Sequence, residues 1–162
     1  MTNEELRESL FAAPKNGYAR INAEQKEEMN AYCKRYMAFM DACKTEREAT
    51  AWAIAEAEKL GFKPFEPGMT ANPGEKIYYN CRGKAIALAV VGKESLAKGA
   101  NICAAHVDSP RMDLKPNPLY EDSEIAYFKT HYYGGIKKYQ WVTVPLALHG
   151  VVYRKDGSIV TI

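Results

Sequence analysis

The residues best suited to chemistry lie in one stretch, Asn101–Pro118, in which His106 and Asp108 are separated by a single residue. Side chains alternate along an extended chain, so His106 and Asp108 are predicted to project to the same side. A carboxylate in that position can steady an imidazole. The pair therefore indicates a metal or catalytic role, and the alternative is a half-buried, hydrogen-bonded histidine with no chemical role.

The residues around this pair predict how it is positioned. Ile102–Val107 is mostly small and apolar, which is typical of a strand buried on both faces of a sheet. Ser109-Pro110 should end that strand, because proline has no N–H for a sheet and restricts the residue before it. Arg111 and Asp113 follow closely, as expected of a cleft wall at a strand end.

The first two thirds of the chain predict an α/β layer. An arm with Pro14 and one short helix at Asn3–Leu10 should precede Arg20. The pairs Asn22/Gln25 and Thr45/Glu48 are typical of helix starts, and each is followed by an apolar stripe that should face a core. The predicted strands are Lys76–Asn80 and Lys84–Val91, joined by a hairpin at Arg82-Gly83, and then Ile102–Val107.

The residues after Pro118 predict only β structure. Strands are expected at Ile125–Tyr133, Trp141–Tyr153 and Ser158–Ile162, with a turn at Asp156-Gly157. A boundary is placed near Pro116–Pro118. The last residues look like the middle of a strand, which predicts a truncated chain.

Composition excludes several classes of protein. The 162 residues carry a net charge of +2 with acids and bases interspersed, so no nucleic acid or anionic membrane partner is predicted. No apolar run approaches membrane-spanning length and the amino terminus is unlike a signal peptide, which favours a cytoplasmic location. The four cysteines are widely spaced and are predicted to be reduced, mostly buried thiols; the alternative, a structural zinc site, lacks the usual ligand spacing.

Three segments together resemble a known family. Ala105–Glu121, Tyr78–Lys84 and Tyr132–Trp141 are similar to the first metal-ligand motif and flanking segments of the M18 metallopeptidases, the aspartyl aminopeptidase and aminopeptidase I family, in its bacterial branch. The resemblance covers essentially the whole chain but only the amino-terminal part of a family member. It implies that residues 1–118 begin a peptidase domain with helices and a mixed sheet. Residues 119–162 would open an inserted β-rich dimerisation domain.

The resemblance also implies a chemistry. Family members are zinc aminopeptidases with two metals per complete site, peptide substrates and a homo-oligomeric assembly, and acidic amino-terminal residues are candidates for the preferred ones. His106 matches a zinc ligand, and Asp108, the predicted catalytic residue, matches the aspartate that orients that histidine. The bridging aspartate, the paired glutamates and the last histidine lie downstream in the family and are not in this chain. The fragment alone is therefore predicted to be inactive.

Other interpretations remain open at the level of sequence. The chain could be a non-enzymatic assembly or interaction module that acts through its β-rich end, where unpaired strand edges would favour association. His149, in an apolar run, is predicted to be a packed core histidine. His131, on an alternating aromatic strand, is expected to line a surface or an interface.

Overall fold

The structure, a computed structural model, describes residues 2–12 and 16–162. It divides into two units, Met1–Met40 and Asp41–Ile162. Pro14 of the predicted amino-terminal arm lies outside the described residues. No helix in the described ranges is both long enough and apolar enough to cross a membrane.

The first unit is helical. The helix α1, Asn3–Leu10, has the predicted bounds and begins with a capping box between Thr2 and Glu5. A 3-10 turn at Gly17–Ala19 follows, and α2 then spans Ala23–Ala42. Asn22 and Gln25 exchange side chain to backbone hydrogen bonds of 2.8 and 3.0 Å at its start, as the sequence predicts.

The stripe of α2 differs from its prediction. Cys33, Tyr36 and Met40 are exposed rather than packed in a core, with 54% of Tyr36 and 42% of Met40 open to solvent. Stacking of the rings of Tyr32 and Tyr36 gives this helix part of its order instead. Helical spacing identifies an apolar face, but it does not supply the element that covers that face.

The second unit begins with a helix on a small mixed sheet. The helix α3, Glu46–Lys59, packs against two strands, β2 (Lys76–Cys81) and β3 (Ala85–Val90). A short strand, β1 (Lys63–Pro64), adds in parallel to β2, which pairs antiparallel with β3. The partners Cys81 and Ala85 are joined by a three-residue turn, in which Arg82 and Gly83 have positive φ values of 56° and 68°.

The remaining strands form two separate hairpins. Strand β4, Arg111–Asp122, pairs antiparallel with β5, Ile125–Tyr133, across a turn at Ser123-Glu124. The pairing register shifts between Leu114 and Leu119, where Pro116 and Pro118 lie within β4. A short helix, α4 (Lys138–Trp141), follows, and then β6 (Val151–Tyr153) pairs with β7 (Ile159–Thr161).

Two strand predictions are wrong. Ile102–Val107 forms no strand and Ile102 is 84% exposed, because no strand in the described part of the chain pairs with this segment. An apolar run predicts burial, but a strand also needs a hydrogen-bonding neighbour. Of the predicted strand Trp141–Tyr153, only the last three residues pair with β7.

The described residues bury little apolar surface. Ala49, Ala57 and Tyr78 are the buried hydrophobic residues, all at the contact of α3 with the sheet, and the Tyr78 hydroxyl donates to Glu58 at 2.7 Å. The prediction of mostly buried thiols is wrong, since Cys33 and Cys103 are exposed, although all four cysteines are free as expected.

The amino-terminal turn of α3 concentrates several polar contacts. Thr45 and Glu48 form the predicted capping box, and the Glu48 carboxylate also accepts from the His149 Nδ1 at 2.9 Å. His149 is therefore not the core histidine predicted from its apolar neighbours. It is a partly exposed side chain that joins residues before β6 to α3.

Replacing Thr45 with Ala is expected to lower the free energy of unfolding by about 1 kcal/mol, because the N–H of Glu48 loses its capping oxygen. Urea unfolding followed by circular dichroism measures this. Thr2→Ala is the matched control, since it removes the same type of cap from an exposed short helix. An effect of Thr45→Ala no larger than that of the control would contradict the assignment.

Glu48 is expected to make stability depend on pH. Burial raises the pKa of Glu48, but hydrogen bonds from His149, from the Lys44 N–H and from Thr45 outweigh it and leave the pKa below the ordinary value of 4.5. The stabilisation is therefore complete above the unfolded-state pKa and is lost as pH falls through the lower folded-state pKa.

The variant Glu48→Gln should consequently be less stable than wild type near neutral pH, and the difference should shrink as pH falls below about 4.5. Urea unfolding between about pH 7 and pH 3 checks this, with Glu56→Gln on the exposed face of α3 as the control. A difference between Glu48→Gln and wild type that stays constant across this range would show that the carboxylate contributes nothing.

Candidate functional site

His106 and Asp108 are in contact, as their spacing predicts. The His106 Nδ1 lies 2.8 Å from the backbone carbonyl oxygen of Asp108 and 3.1 Å from its Oδ1. The His106 side chain is 81% exposed and that of Asp108 is 33% exposed. The ring is thus hydrogen-bonded at Nδ1, and its Nε2 side is open to solvent.

The partners of the ring fix its proton. A carbonyl oxygen and a carboxylate oxygen can only accept, so the His106 Nδ1 must be the nitrogen that donates. Nε2 of the neutral ring then carries a lone pair, and no side chain or backbone group in the described ranges occupies it. This is the tautomer in which a histidine binds a metal through Nε2.

A third side chain completes this arrangement. The Tyr133 hydroxyl donates to the Asp108 Oδ2 at 2.6 Å, while Oδ1 of the same carboxylate faces His106. The hydrogen bond from Tyr133 holds the pKa of Asp108 below its usual range, and the backbone N–H of Asp108 and the His106 ring act in the same direction. The same bond raises the pKa of Tyr133. Asp108 is therefore anionic and Tyr133 protonated at neutral pH.

Arg111 holds Tyr133 from the next strand. These two residues are paired across β4 and β5, and the Arg111 guanidinium lies 4.3 Å from the centre of the Tyr133 ring. The guanidinium also pairs with Asp113 at 2.7 Å and with Glu46 of α3 at 3.0 Å. The hydrogen bond to Asp113 is the main reason that the pKa of Arg111 is raised.

A glycine lets the end of β5 approach the loop that carries Asp108. Gly134 has φ of +73°, and a Cβ at this position would lie 3.3 Å from the Cα, Cβ and Cγ of Pro110. Neither the backbone conformation nor the space suits a larger residue. The close approach brings Tyr133, which precedes Gly134, within hydrogen-bonding distance of Asp108, which lies two residues before Pro110.

The described residues do not form a complete metal site. No group of three or more His, Cys, Asp and Glu side chains with metal-binding geometry occurs in the ranges 2–12 and 16–162. His131 lies 3.9 Å from Asp113, and His149 contacts Glu48. The free Nε2 and the carboxylate on Nδ1 fit zinc at one position of its coordination sphere.

A cleft of about 620 Å³ lies beside the site and does not include His106. Its lining comes from the start of α3, the start of β4 and the residues before β6, among them Glu46, Arg111, Asp113 and His149. Several of its polar groups already pair, Arg111 with Glu46 and Asp113 and His149 with Glu48. It therefore contributes to the site by holding Arg111, which supports Tyr133.

Reasoning from the sequence missed Tyr133 and the supporting role of Arg111. Tyr133 lies 25 residues from Asp108, and only the register of β4 with β5 shows that the two meet. The signal that could have found it is Gly134 directly after an aromatic strand, since such a glycine often marks a close backbone approach.

Comparisons with known proteins identify the family of this chain. The family model described as "Aminopeptidase I zinc metalloprotease (M18)" matches residues 39–161. A probable M18 family aminopeptidase 1 of Clostridium acetobutylicum is 48% identical over 157 residues, which cover 94% of this chain and 34% of the relative. One from Thermotoga neapolitana is 50% identical over 137 residues, covering 85% of this chain and 30% of the relative.

Solved structures show the same likeness. The crystal structure of aminopeptidase I from Borrelia burgdorferi matches with a TM-score of 0.86 and 44% identity, covering 91% of this chain and 37% of that chain. The M18 aminopeptidase of Thermotoga maritima matches with a TM-score of 0.82 and 43% identity, covering 94% and 33%. The chain thus spans about a third of the length of the relatives it matches. With its α/β arrangement of helices and mixed sheet, it belongs to the M18 family of metallopeptidases.

Proposed function

We propose that this chain supplies the first metal ligand of a zinc aminopeptidase that removes amino-terminal residues, acidic ones among them, from peptides. His106 is the ligand and Asp108 orients it. The complete protein would be a cytoplasmic homo-oligomer with two zinc ions per site, and residues 119–162 would begin its β-rich dimerisation domain. The observation that carries the proposal is the His106 ring, fixed at Nδ1 by Asp108 and open at Nε2.

The geometry suits this role because a ligand must be presented before the metal arrives. Asp108 accepts from Nδ1, which leaves Nε2 of the exposed ring facing solvent. Zinc would supply a Lewis acid that activates a water molecule and polarises the scissile peptide carbonyl. The contribution of this chain to the reaction would be one ligand, His106, that binds the metal at a fixed position.

A single imidazole is too few for a zinc site, which needs three or four protein ligands. The described residues form no group of three or more His, Cys, Asp and Glu side chains that could hold a metal ion. The relatives are about three times as long as the segment matched here. The remaining ligands and the general base are therefore proposed to lie in the part of the family that this chain does not span, and the 162-residue chain alone is proposed to be inactive.

The purified chain is expected to show no hydrolysis of aspartyl or leucyl chromogenic substrates with added zinc or cobalt. A chimera in which this chain replaces the matched third of the Clostridium acetobutylicum relative should hydrolyse them. In that chimera His106→Ala should lower kcat/KM by at least about a hundredfold, because changes at metal ligands and their partners cost on that order.

The matched control is His131→Ala in the same chimera, since His131 is exposed and lies away from the proposed ligand. It should retain activity. Two results would contradict the proposal: turnover by the 162-residue chain that His106→Ala abolishes, or a chimera whose activity and zinc content are unchanged by His106→Ala.

A second candidate is a non-enzymatic assembly or interaction module. It is favoured by the large apolar residues that remain exposed, among them Leu96 at 83% and Val142 at 82%. The two-stranded sheets β4–β5 and β6–β7 also have outer edges that no strand in the described ranges covers. Such edges can add a strand from another chain.

Sedimentation of the purified chain over a range of concentrations, with and without zinc, separates the two candidates. An interaction module should fold and form a defined oligomer without zinc and without further polypeptide. If the chain is part of a peptidase, it should associate without a defined stoichiometry on its own, and this association should disappear when the chain is part of the chimera. A defined zinc-independent oligomer of the 162-residue chain would favour the second candidate.

A further inference from the structure

We propose that Tyr133 is a positioning residue, which fixes the Asp108 carboxylate and thereby reinforces, together with the backbone carbonyl of Asp108, the tautomer and direction of the His106 ring. This role would place the end of β5, in the segment predicted to open a separate domain, in control of the first ligand. It rests on the proposed function only for the identity of Nε2 as the metal ligand. The positional claim itself concerns three side chains of this structure.

The carboxylate of Asp108 is hydrogen-bonded at both of its oxygens. Its Oδ1 faces the His106 Nδ1 at 3.1 Å and its Oδ2 accepts from the Tyr133 hydroxyl at 2.6 Å. A planar group that is bonded at both oxygens cannot rotate about its Cβ–Cγ bond without losing one of them. The Tyr133 bond is the shorter of the two, so it is the stronger constraint on where Oδ1 points.

Solvent reaches both side chains of the pair. Asp108 is 33% exposed and His106 is 81% exposed, so packing does not hold either side chain. A short carboxylate in such a place would otherwise exchange between rotamers and between water and the ring. The Tyr133 hydroxyl is thus the side-chain contact that holds the Asp108 carboxylate toward His106, while the backbone carbonyl oxygen of Asp108 accepts from the same Nδ1 at 2.8 Å.

Tyr133 is itself fixed. It ends β5 opposite Arg111, whose guanidinium covers its ring and is anchored by Asp113 and Glu46. Gly134 then allows the backbone to pass close to Pro110. The position of the hydroxyl is therefore set by two strands and a helix, and it is transmitted to His106 through Asp108.

The test is the tautomer of His106 in the metal-free chain, measured from ¹⁵N–¹H correlations of the ring at a pH well above about 6.5, where an ordinary imidazole is neutral. Wild type should carry the His106 proton mainly on Nδ1. Tyr133→Phe keeps the ring under Arg111 and removes only the hydroxyl. It should lower the ratio of the Nδ1–H to the Nε2–H form several-fold.

The matched control is Tyr132→Phe, the same change on the neighbouring residue, which should leave the ratio unchanged. In an Asp108→Asn background, Tyr133→Phe should have no further effect, because the tyrosine acts through that carboxylate. A wild-type ring mainly protonated on Nε2, a ratio unaffected by Tyr133→Phe, or equal effects of Tyr133→Phe with and without Asp108→Asn would each overturn the inference.

This measurement is independent of the peptidase proposal. If the tautomer responds as expected but His106→Ala leaves the chimera active, the positioning by Tyr133 stands and the zinc role of His106 fails. If His106→Ala inactivates the chimera but Tyr133→Phe leaves the tautomer ratio of His106 unchanged, the zinc role of His106 stands and the positioning by Tyr133 fails.

Discussion

The Asp108 carboxylate, held at one oxygen by Tyr133 and turned with the other toward His106, is the constraint on which the site depends. A free imidazole divides its proton between two nitrogens and turns about two bonds. Here a carbonyl and a carboxylate oxygen both require the proton on Nδ1. The result is an Nε2 lone pair aimed at solvent from a fixed place, which is what a metal ligand needs and what a solvated surface histidine does not have.

Residues of β4, β5 and α3 hold Tyr133 in place through successive contacts. The register of β4 with β5 sets Arg111 opposite Tyr133, and Glu46 at the start of α3 pairs with Arg111. The capping box of that helix and the contact of Glu48 with His149 stabilise the same turn. Few apolar side chains are buried among the described residues, so the supports of the site are mainly polar contacts. That is consistent with a segment that spans about a third of its relatives' length.

Short-range sequence patterns predicted several local features of the structure correctly. The spacing of His106 and Asp108 predicted their contact, the pair Thr45/Glu48 predicted the start of α3, and the bounds of β5 agree with the predicted Ile125–Tyr133. The failures are non-local. Ile102–Val107 has the composition of a strand but lacks a partner strand, and composition cannot show whether a partner is present. Tyr133 was missed because its contact depends on a pairing register that sequence periodicity does not determine.

The central claim is that zinc binds the His106 ring at Nε2 while Asp108 keeps Nδ1. Anomalous diffraction at the zinc edge, from crystals of the chimera that carries this chain, tests it most directly. A zinc peak is expected at about 2.0–2.1 Å from the His106 Nε2, with Asp108 still on Nδ1 and Tyr133 still on Asp108. A zinc peak bonded to Nδ1, or zinc bound in the chimera with none at His106, would contradict it.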